Sequence, residues 1–213
     1  MIIAVDGPAA SGKGTIARAL AKHYGLPHLD TGMLYRAVGQ AVLDEGGDPA
    51  NETDALAACS FPESLLLDPR LRGEAAGKAA SIVSAHPLVR SSLLSRQRAF
   101  ATQPGGAVLD GRDIGTVVVP HADAKLFVRA TSQIRARRRH DEARKAGSTM
   151  SFDKMLADIK ARDLRDTTRP VAPLRQAEDA ALLDTSYLSI DAAIKRAITL
   201  VEGQRAKVDV EGS

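Results

Sequence analysis

Tryptophan is absent from this chain of 213 residues, and aromatic side chains make up only 3% of it. That argues against the stacking platform on which single-stranded nucleic acid is read. Charge adds little, because 29 Lys and Arg against 26 Asp and Glu leave a net +3, a balance that suits small anionic substrates and is weak support for nucleic-acid or membrane binding. One cysteine, Cys59, excludes an intrachain disulfide and reads as a buried structural residue, while five scattered histidines show no metal-ligand spacing. Long hydrophobic runs are missing too. The N-terminal apolar run Ile2–Val5 stops at Asp6, which is too short for a signal peptide or a membrane anchor. A cytoplasmic protein with neither membrane nor nucleic acid as partner is expected.

What is present is an ordinary globular balance, 44% apolar and 26% charged, in a length that fits one domain over residues 1–213. Directly after Ile2–Val5 comes Asp6-Gly7-Pro8-Ala9-Ala10-Ser11-Gly12-Lys13-Gly14-Thr15, which opens onto the helical pattern from Ile16 to Ala21. Gly7, four residues, Gly12 and Lys13 match the start of a phosphate-binding loop, whose backbone N–H groups cradle phosphate oxygens while the lysine reaches the β and γ phosphates. Gly7 to Thr15 are therefore the candidate ATP contacts. The hydroxyl that usually follows the lysine is displaced by one position to Thr15, so the motif leaves direct Mg²⁺ ligation by Thr15 undecided.

Strand patterns at Ile2–Val5, His28–Asp30, Ala107–Gly111, Lys125–Val128 and Ala181–Asp184 alternate with helical patterns. This order predicts an α/β fold, a parallel sheet with helices on both faces and ligands at the carboxyl ends of the strands. The helices are expected to run to about Tyr24, from Gly32 to about Glu45 with Thr31 as N-cap, through 50–60, Glu74–Ala85, Leu88–Thr102, Thr131–Ala146, Ser151–Asp166 and Ile190–Val201. Residues 61–73, with Pro62 and Pro69 around three leucines, read as a small irregular hairpin, and residues after Gly203 as frayed. No internal repeat or low-complexity segment is apparent.

Three further groups carry candidate chemistry. Asp110 ends an apolar strand, as does an acidic residue that holds Mg²⁺ directly or through water. Thr31 to Arg36 lie where a strand feeds a helix N-terminus, which favours an anion. Arg162, Asp166 and Arg169 fall on one helical stripe at i, i+4 and i+7, able to read a sugar hydroxyl and bind phosphate. The densest basic patch, Arg135 to Lys145, reads as a lid over ATP whose arginines neutralise a transferring phosphoryl group. The alternatives are a solvated helix face or an RNA-binding arm.

With these residues in view, the chain resembles the bacterial cytidylate kinases, nucleoside monophosphate kinases of the P-loop type, from Ile3 to about Ile198. The motifs are the phosphate loop, Asp30-Thr31-Gly32-Met33-Leu34-Tyr35-Arg36, Arg96-Gln97-Arg98-Ala99-Phe100, Asp110-Gly111-Arg112-Asp113-Ile114-Gly115-Thr116-Val117-Val118, Arg162-Asp163 through Arg169, and Leu183-Asp184-Thr185-Ser186. The resemblance implies a P-loop kinase core (1–30, 104–138 and 170–203), an acceptor-binding insert (31–103), a short lid (139–150) and a helix with acceptor contacts (151–169). It implies MgATP-dependent phosphoryl transfer to CMP and dCMP, with UMP a poor acceptor, and a monomer is expected. Ser81, Arg90 and Asp113 would read the cytosine, Arg162 and Asp166 would hold the sugar, and Thr31, Arg36, Arg112 and Arg169 would contact the acceptor phosphate. Lys13, Arg112, Arg169 and Arg139 would neutralise the transferred group. Other P-loop small-molecule kinases, relatives of shikimate or adenylate kinase, are the competing reading, with a nucleotide-dependent RNA-binding module behind them. The family commonly carries a longer acceptor-side insert with a three-stranded sheet, for which 61–73 is too short.

Overall fold

A computed structural model describes residues 1–145 and 147–211. Five strands, β1 (Ile2–Asp6), β2 (His28–Asp30), β3 (Ala107–Gly111), β4 (Ala124–Arg129) and β5 (Ala181–Asp184), pair in parallel in the order β2-β3-β1-β4-β5. Buried on both faces, β1 and β3 need apolar side chains up to the carboxylate near the carboxyl end of each, and this makes Ile2–Val5 and Ala107–Leu109 continuous apolar runs rather than alternating ones. Side chains still alternate in direction. Ile3 and Val5 pack with Ile16, Leu20, Leu126 and Val201 on one face, and Ala4 with Leu109, Ala101 and Ile114 on the other. The first face is covered by α1 (Lys13–Tyr24) and α8 (Ile190–Glu211).

Between β2 and β3 the chain is helical: α2 (Thr31–Asp44), α3 (Glu52–Ala57), α4 (Glu74–Val83) and α5 (Pro87–Ala101). At the α2–α4 crossing a Cβ on Gly39 would lie 2.8 Å from that of Ala79, so glycine is what lets the two backbones approach. A hairpin of α6 (Ser132–Lys145) and α7 (Phe152–Thr168) rests on its own small core of Ala136, Met155 and Ile159.

Several boundaries differ from expectation for identifiable reasons. Residues 61–73 form two 3₁₀ turns, Glu63–Leu67 and Pro69–Arg72, rather than a hairpin. Neither proline can donate to a ladder, Pro69 starts its turn, and the Asp68 side chain accepts from the Arg70 N–H. Helix α8 continues to Glu211 rather than fraying after Gly203, because Gln204 accepts from the Lys125 N–H (2.7 Å) and donates to its carbonyl (2.9 Å). Asp30 rather than Thr31 caps α2, accepting from the Gly32 N–H. A five-residue π-turn, Ile114–Val118, follows β3 without any sequence signal having announced it. Ala146, placed by the sequence at the end of α6 and within the lid, lies outside the described residues, as do the last two residues.

Candidate active site

The parallel register sets carboxylates at the carboxyl edge of adjacent strands: Asp30 stands opposite Asp110, and Asp6 opposite Gly111. The phosphate loop leaves β1 at this edge. Gly7 has φ +155°, and a Cβ there would sit 2.1 Å from the Val128 carbonyl oxygen, so no other residue fits. Gly12, in the left-handed region, starts α1 with no side-chain cap and no acidic residue in the first turn, leaving the helix N-terminus turned toward an anion. Ser11 is fully buried with its Oγ unpartnered.

Neighbouring elements clamp the loop. Thr185 Oγ1 donates to the Ser11 carbonyl (2.8 Å), Arg138 donates to Thr185, and Arg135 donates to the Ala9 carbonyl (3.2 Å) while forming a two-pronged pair with Asp163 (2.9 and 2.6 Å). Two arginines assigned from sequence to a lid patch are thus internal braces, Arg137 lies over the Phe152 ring, and Arg144 and Lys145 are exposed. Of that basic run, Arg139 faces the cleft.

Lys13 Nζ lies 3.9 Å from Asp110 Oδ2, whose other oxygen is held by His28 Nε2 at 2.7 Å. Sequence reasoning missed His28; its side chain shares a sheet face with Asp110 two rungs along, a relation visible only once β2 is set beside β3. Thr15 is exposed beside Arg18, whose Nη2 donates to its hydroxyl (3.4 Å), and it is Gly14 that faces Asp110. Thr15 and Asp110 are therefore not brought together. Among the described residues no group of three or more His, Cys, Asp or Glu could hold a metal.

A small pocket of about 40 Å³ is lined by Thr31, Arg90, Arg112, Asp113, Arg162, Asp166 and Arg169, among others. Asp113 is paired with Arg90 and lies 3.5 Å from Arg169 Nη2. Asp166 accepts from Arg112 Nε at 2.8 Å, and Arg162 Nε, 4.0 Å away, is buried without a hydrogen-bond partner. Burial raises the Asp166 pKa, but Arg112 and Arg162 overcome it and hold the carboxyl below its usual range. The Thr31 hydroxyl donates to the Asp110 carbonyl (2.8 Å). Arg169 has left α7 and reaches the pocket as an extended residue just past its end, so the helical stripe predicted for Arg162, Asp166 and Arg169 holds only for the first two.

A larger cleft of about 590 Å³ opens between α4 and the α6–α7 hairpin, lined by Ala9, Arg36, Ser81, Arg139, Arg162 and Arg165 among others. Ser81 lines this cleft, not the small pocket, and accepts from Arg165 Nε at 3.1 Å, a partner unassigned from sequence. Arg36 donates to the Leu71 (2.6 Å) and Gly73 (3.0 Å) carbonyls.

Burial and like charge lower several of the cations, whereas at Arg112 burial is outweighed by Asp166 and the pKa is raised. Burial, followed by repulsion from Arg112, pushes Lys13 down to about 8 and Arg162 down to about 9. Arg36 is lowered by burial and then by Arg139. Lys13, Arg36, Arg112, Arg139 and Arg162 come from separate segments and converge so closely that several weaken each other's charge. An anion of several charges bound among them would relieve the repulsion.

The sequence model of the family described as "Cytidylate kinase" matches residues 3–203. Among curated relatives, the cytidylate kinase of Nitrobacter winogradskyi is 55% identical over 97% of this chain and 98% of its own length. That of Xanthobacter autotrophicus is 55% identical over 97% and 99%. A crystal structure of a protein from Eubacterium ventriosum superposes with a TM-score of 0.55 at 15% identity, covering 95% of this chain and 98% of the other; that likeness speaks to the fold alone.

Proposed function

Because the chain belongs to the cytidylate kinase family, we propose that the two pockets are the halves of one phosphoryl-transfer site. The protein is an ATP-dependent kinase that moves the γ-phosphoryl group of ATP to CMP or dCMP, giving CDP or dCDP. The observation that carries the assignment of the halves is the convergence of Lys13, Arg36, Arg112, Arg139 and Arg162 between the phosphate loop and the acceptor pocket.

In this reading the loop amides from Gly7 to Thr15 and Lys13 hold the donor's β and γ phosphates. Arg36, Arg112 and Arg169, with Thr31 as a neutral neighbour, take the acceptor phosphate. Asp113, oriented by Arg90 and Arg169, offers acceptor oxygens to the exocyclic amine of cytosine, and Ser81 completes the base contacts. Arg162 and Asp166 take the sugar. An acceptor phosphate oxygen attacks the γ phosphorus in line; the protein supplies positioning and charge neutralisation and forms no covalent bond. Arg112, Arg139 and Arg169 offset the charge spread over the transferred group.

Mg²⁺ would arrive with ATP. Asp110 would hold it directly or through water, in keeping with an ion that uses one or two carboxylates plus substrate phosphates. Residues 139–150 act as the lid, whose closure excludes water, and the small pocket must widen to admit a nucleoside. We further read the protein as a cytoplasmic monomer. No described helix is long and apolar enough to cross a membrane. ADP release with CMP, dCMP, UMP and AMP as acceptors tests the assignment. CMP and dCMP are expected to turn over well, with UMP poor, and turnover of AMP equal to or above that of CMP would overturn it.

A further inference from the structure

The motif Arg96 to Phe100 lines neither pocket. Arg96 packs on the Phe61 ring and pairs with Glu63 (3.1 Å), and Gln97 is buried against the Leu93 carbonyl. Arg98 does something else. Its Nε donates to the Val118 carbonyl and its Nη2 to the Val117 carbonyl, both at 3.0 Å. These carbonyls close the π-turn Ile114–Val118. A single wide turn cannot satisfy its own terminal groups, so its last carbonyls and first N–H groups need outside partners.

The first N–H groups have one as well. Both oxygens of Asp6, a residue only 5% exposed, accept at 2.8 Å from Ile114 N and Gly115 N. Asp6 stands one residue before the phosphate loop. At the turn's start is Asp113, preceded by Arg112, and both line the acceptor pocket. Within the turn, a Cβ on Gly115 would come 3.1 Å from Lys125 Cδ and 3.4 Å from Asp6 Oδ2, so the backbone is pressed against its supports.

We propose that Asp6 and Arg98 are positioning residues that grip the two ends of this turn and thereby set Arg112 and Asp113 relative to the phosphate loop. This rests on the reading of Arg112 and Asp113 as acceptor-side contacts. Neither Asp6 nor Arg98 touches substrate. Asp6 links the turn to the donor loop. Arg98 links it to α5, the helix that also carries Arg90, the partner of Asp113, about two turns earlier. Donor and acceptor halves are thus registered by two side chains that each hold a pair of backbone groups of the same turn.

Steady-state kinetics of R98M and R98K, with D6N as the second grip, test the proposal, and R112Q serves as a control for the site itself. R98M is expected to lower kcat and raise the KM for CMP so that kcat/KM for CMP falls roughly tenfold, with the KM for ATP within about twofold of wild type. R98K, whose one ammonium nitrogen replaces the two-nitrogen fork, recovers part of the loss, and D6N shows an acceptor-side deficit at least as large as that of R98M. A structural role alone would lower the melting temperature and leave the kinetics of the folded enzyme intact. Wild-type kcat and CMP KM in folded R98M therefore overturn the proposal, as does an equal rise in both substrates' KM values. Should R98M not fold, wild-type kinetics in R98K do the same. Impaired R112Q beside normal R98M sinks the positioning role only, whereas normal R112Q sinks the site reading and the grip with it.

Discussion

Raising the pH from 7 to 9 should weaken ATP binding about tenfold through a single group, Lys13. Only 14% of this side chain is exposed. Burial, and then the Arg112 guanidinium, bring its pKa from the ordinary 10.5 to about 8, against the opposing pull of Asp110 and Asp30. A triphosphate laid beside Nζ restores the advantage of the charged form, so the pKa climbs on binding and ATP takes up a proton. Affinity is then full below pH 8 and is lost as pH rises through it. One unit above its pKa the free enzyme carries the charge in about a tenth of its molecules, which corresponds to ~1.4 kcal/mol of binding. Titration calorimetry without acceptor, in buffers of different protonation enthalpy, should report uptake of about half a proton at pH 8. Lys13→Arg keeps its charge throughout and should flatten the profile. A wild-type Kd that is constant from pH 7 to 9 with no buffer-dependent heat, or an unchanged slope in Lys13→Arg, would refute the reasoning.

Other expectations follow from the same geometry. Gly7→Ala should cost on the order of 3 kcal/mol and abolish ATP use, because its Cβ would collide with the Val128 carbonyl; urea unfolding and ATP KM check it. Arg135→Met leaves Asp163 and the Ala9 and Ala130 carbonyls without their shared donor, and should destabilise by about 3 kcal/mol while raising the ATP KM. Burial raises Asp6 to about 7 despite the Gly115 and Ile114 N–H groups. The native state therefore holds a proton that the unfolded chain has released, and stability falls as pH rises from about 4 through 7, by roughly 4 kcal/mol. Denaturant melts of wild type minus Asp6→Asn across pH 4 to 8 isolate that slope, and a flat difference would contradict it.

Legibility followed sequence distance. The phosphate loop could be read because its demands are contiguous: a left-handed or close-packed backbone at Gly7 and Gly12, then a helix N-terminus. Strands β1 and β3 could be read because burial on both faces leaves an uninterrupted apolar run. Asp6 could have been noticed by the rule that singled out Asp110, a carboxylate ending an apolar strand, yet its proximity to the loop absorbed it into that motif. His28 on Asp110, Arg165 on Ser81 and Arg98 on the π-turn had no local signal, since each pairs groups at least 19 residues apart. The basic run of α6 misled for the same reason. Charge density along a helix says nothing about which arginines turn inward, and Arg135 and Arg138 became braces.

The sequence by itself determined the α/β alternation and the phosphate loop, because these depend on local backbone preference, on burial pattern and on motifs held within short stretches. Only the tertiary structure decided which charges meet. It placed Asp113 between Arg90 and Arg169, Asp166 between Arg112 and Arg162, and Asp6 on a turn more than a hundred residues away. Electrostatic coupling depends on through-space distance and burial, and those exist only once the strands are set side by side.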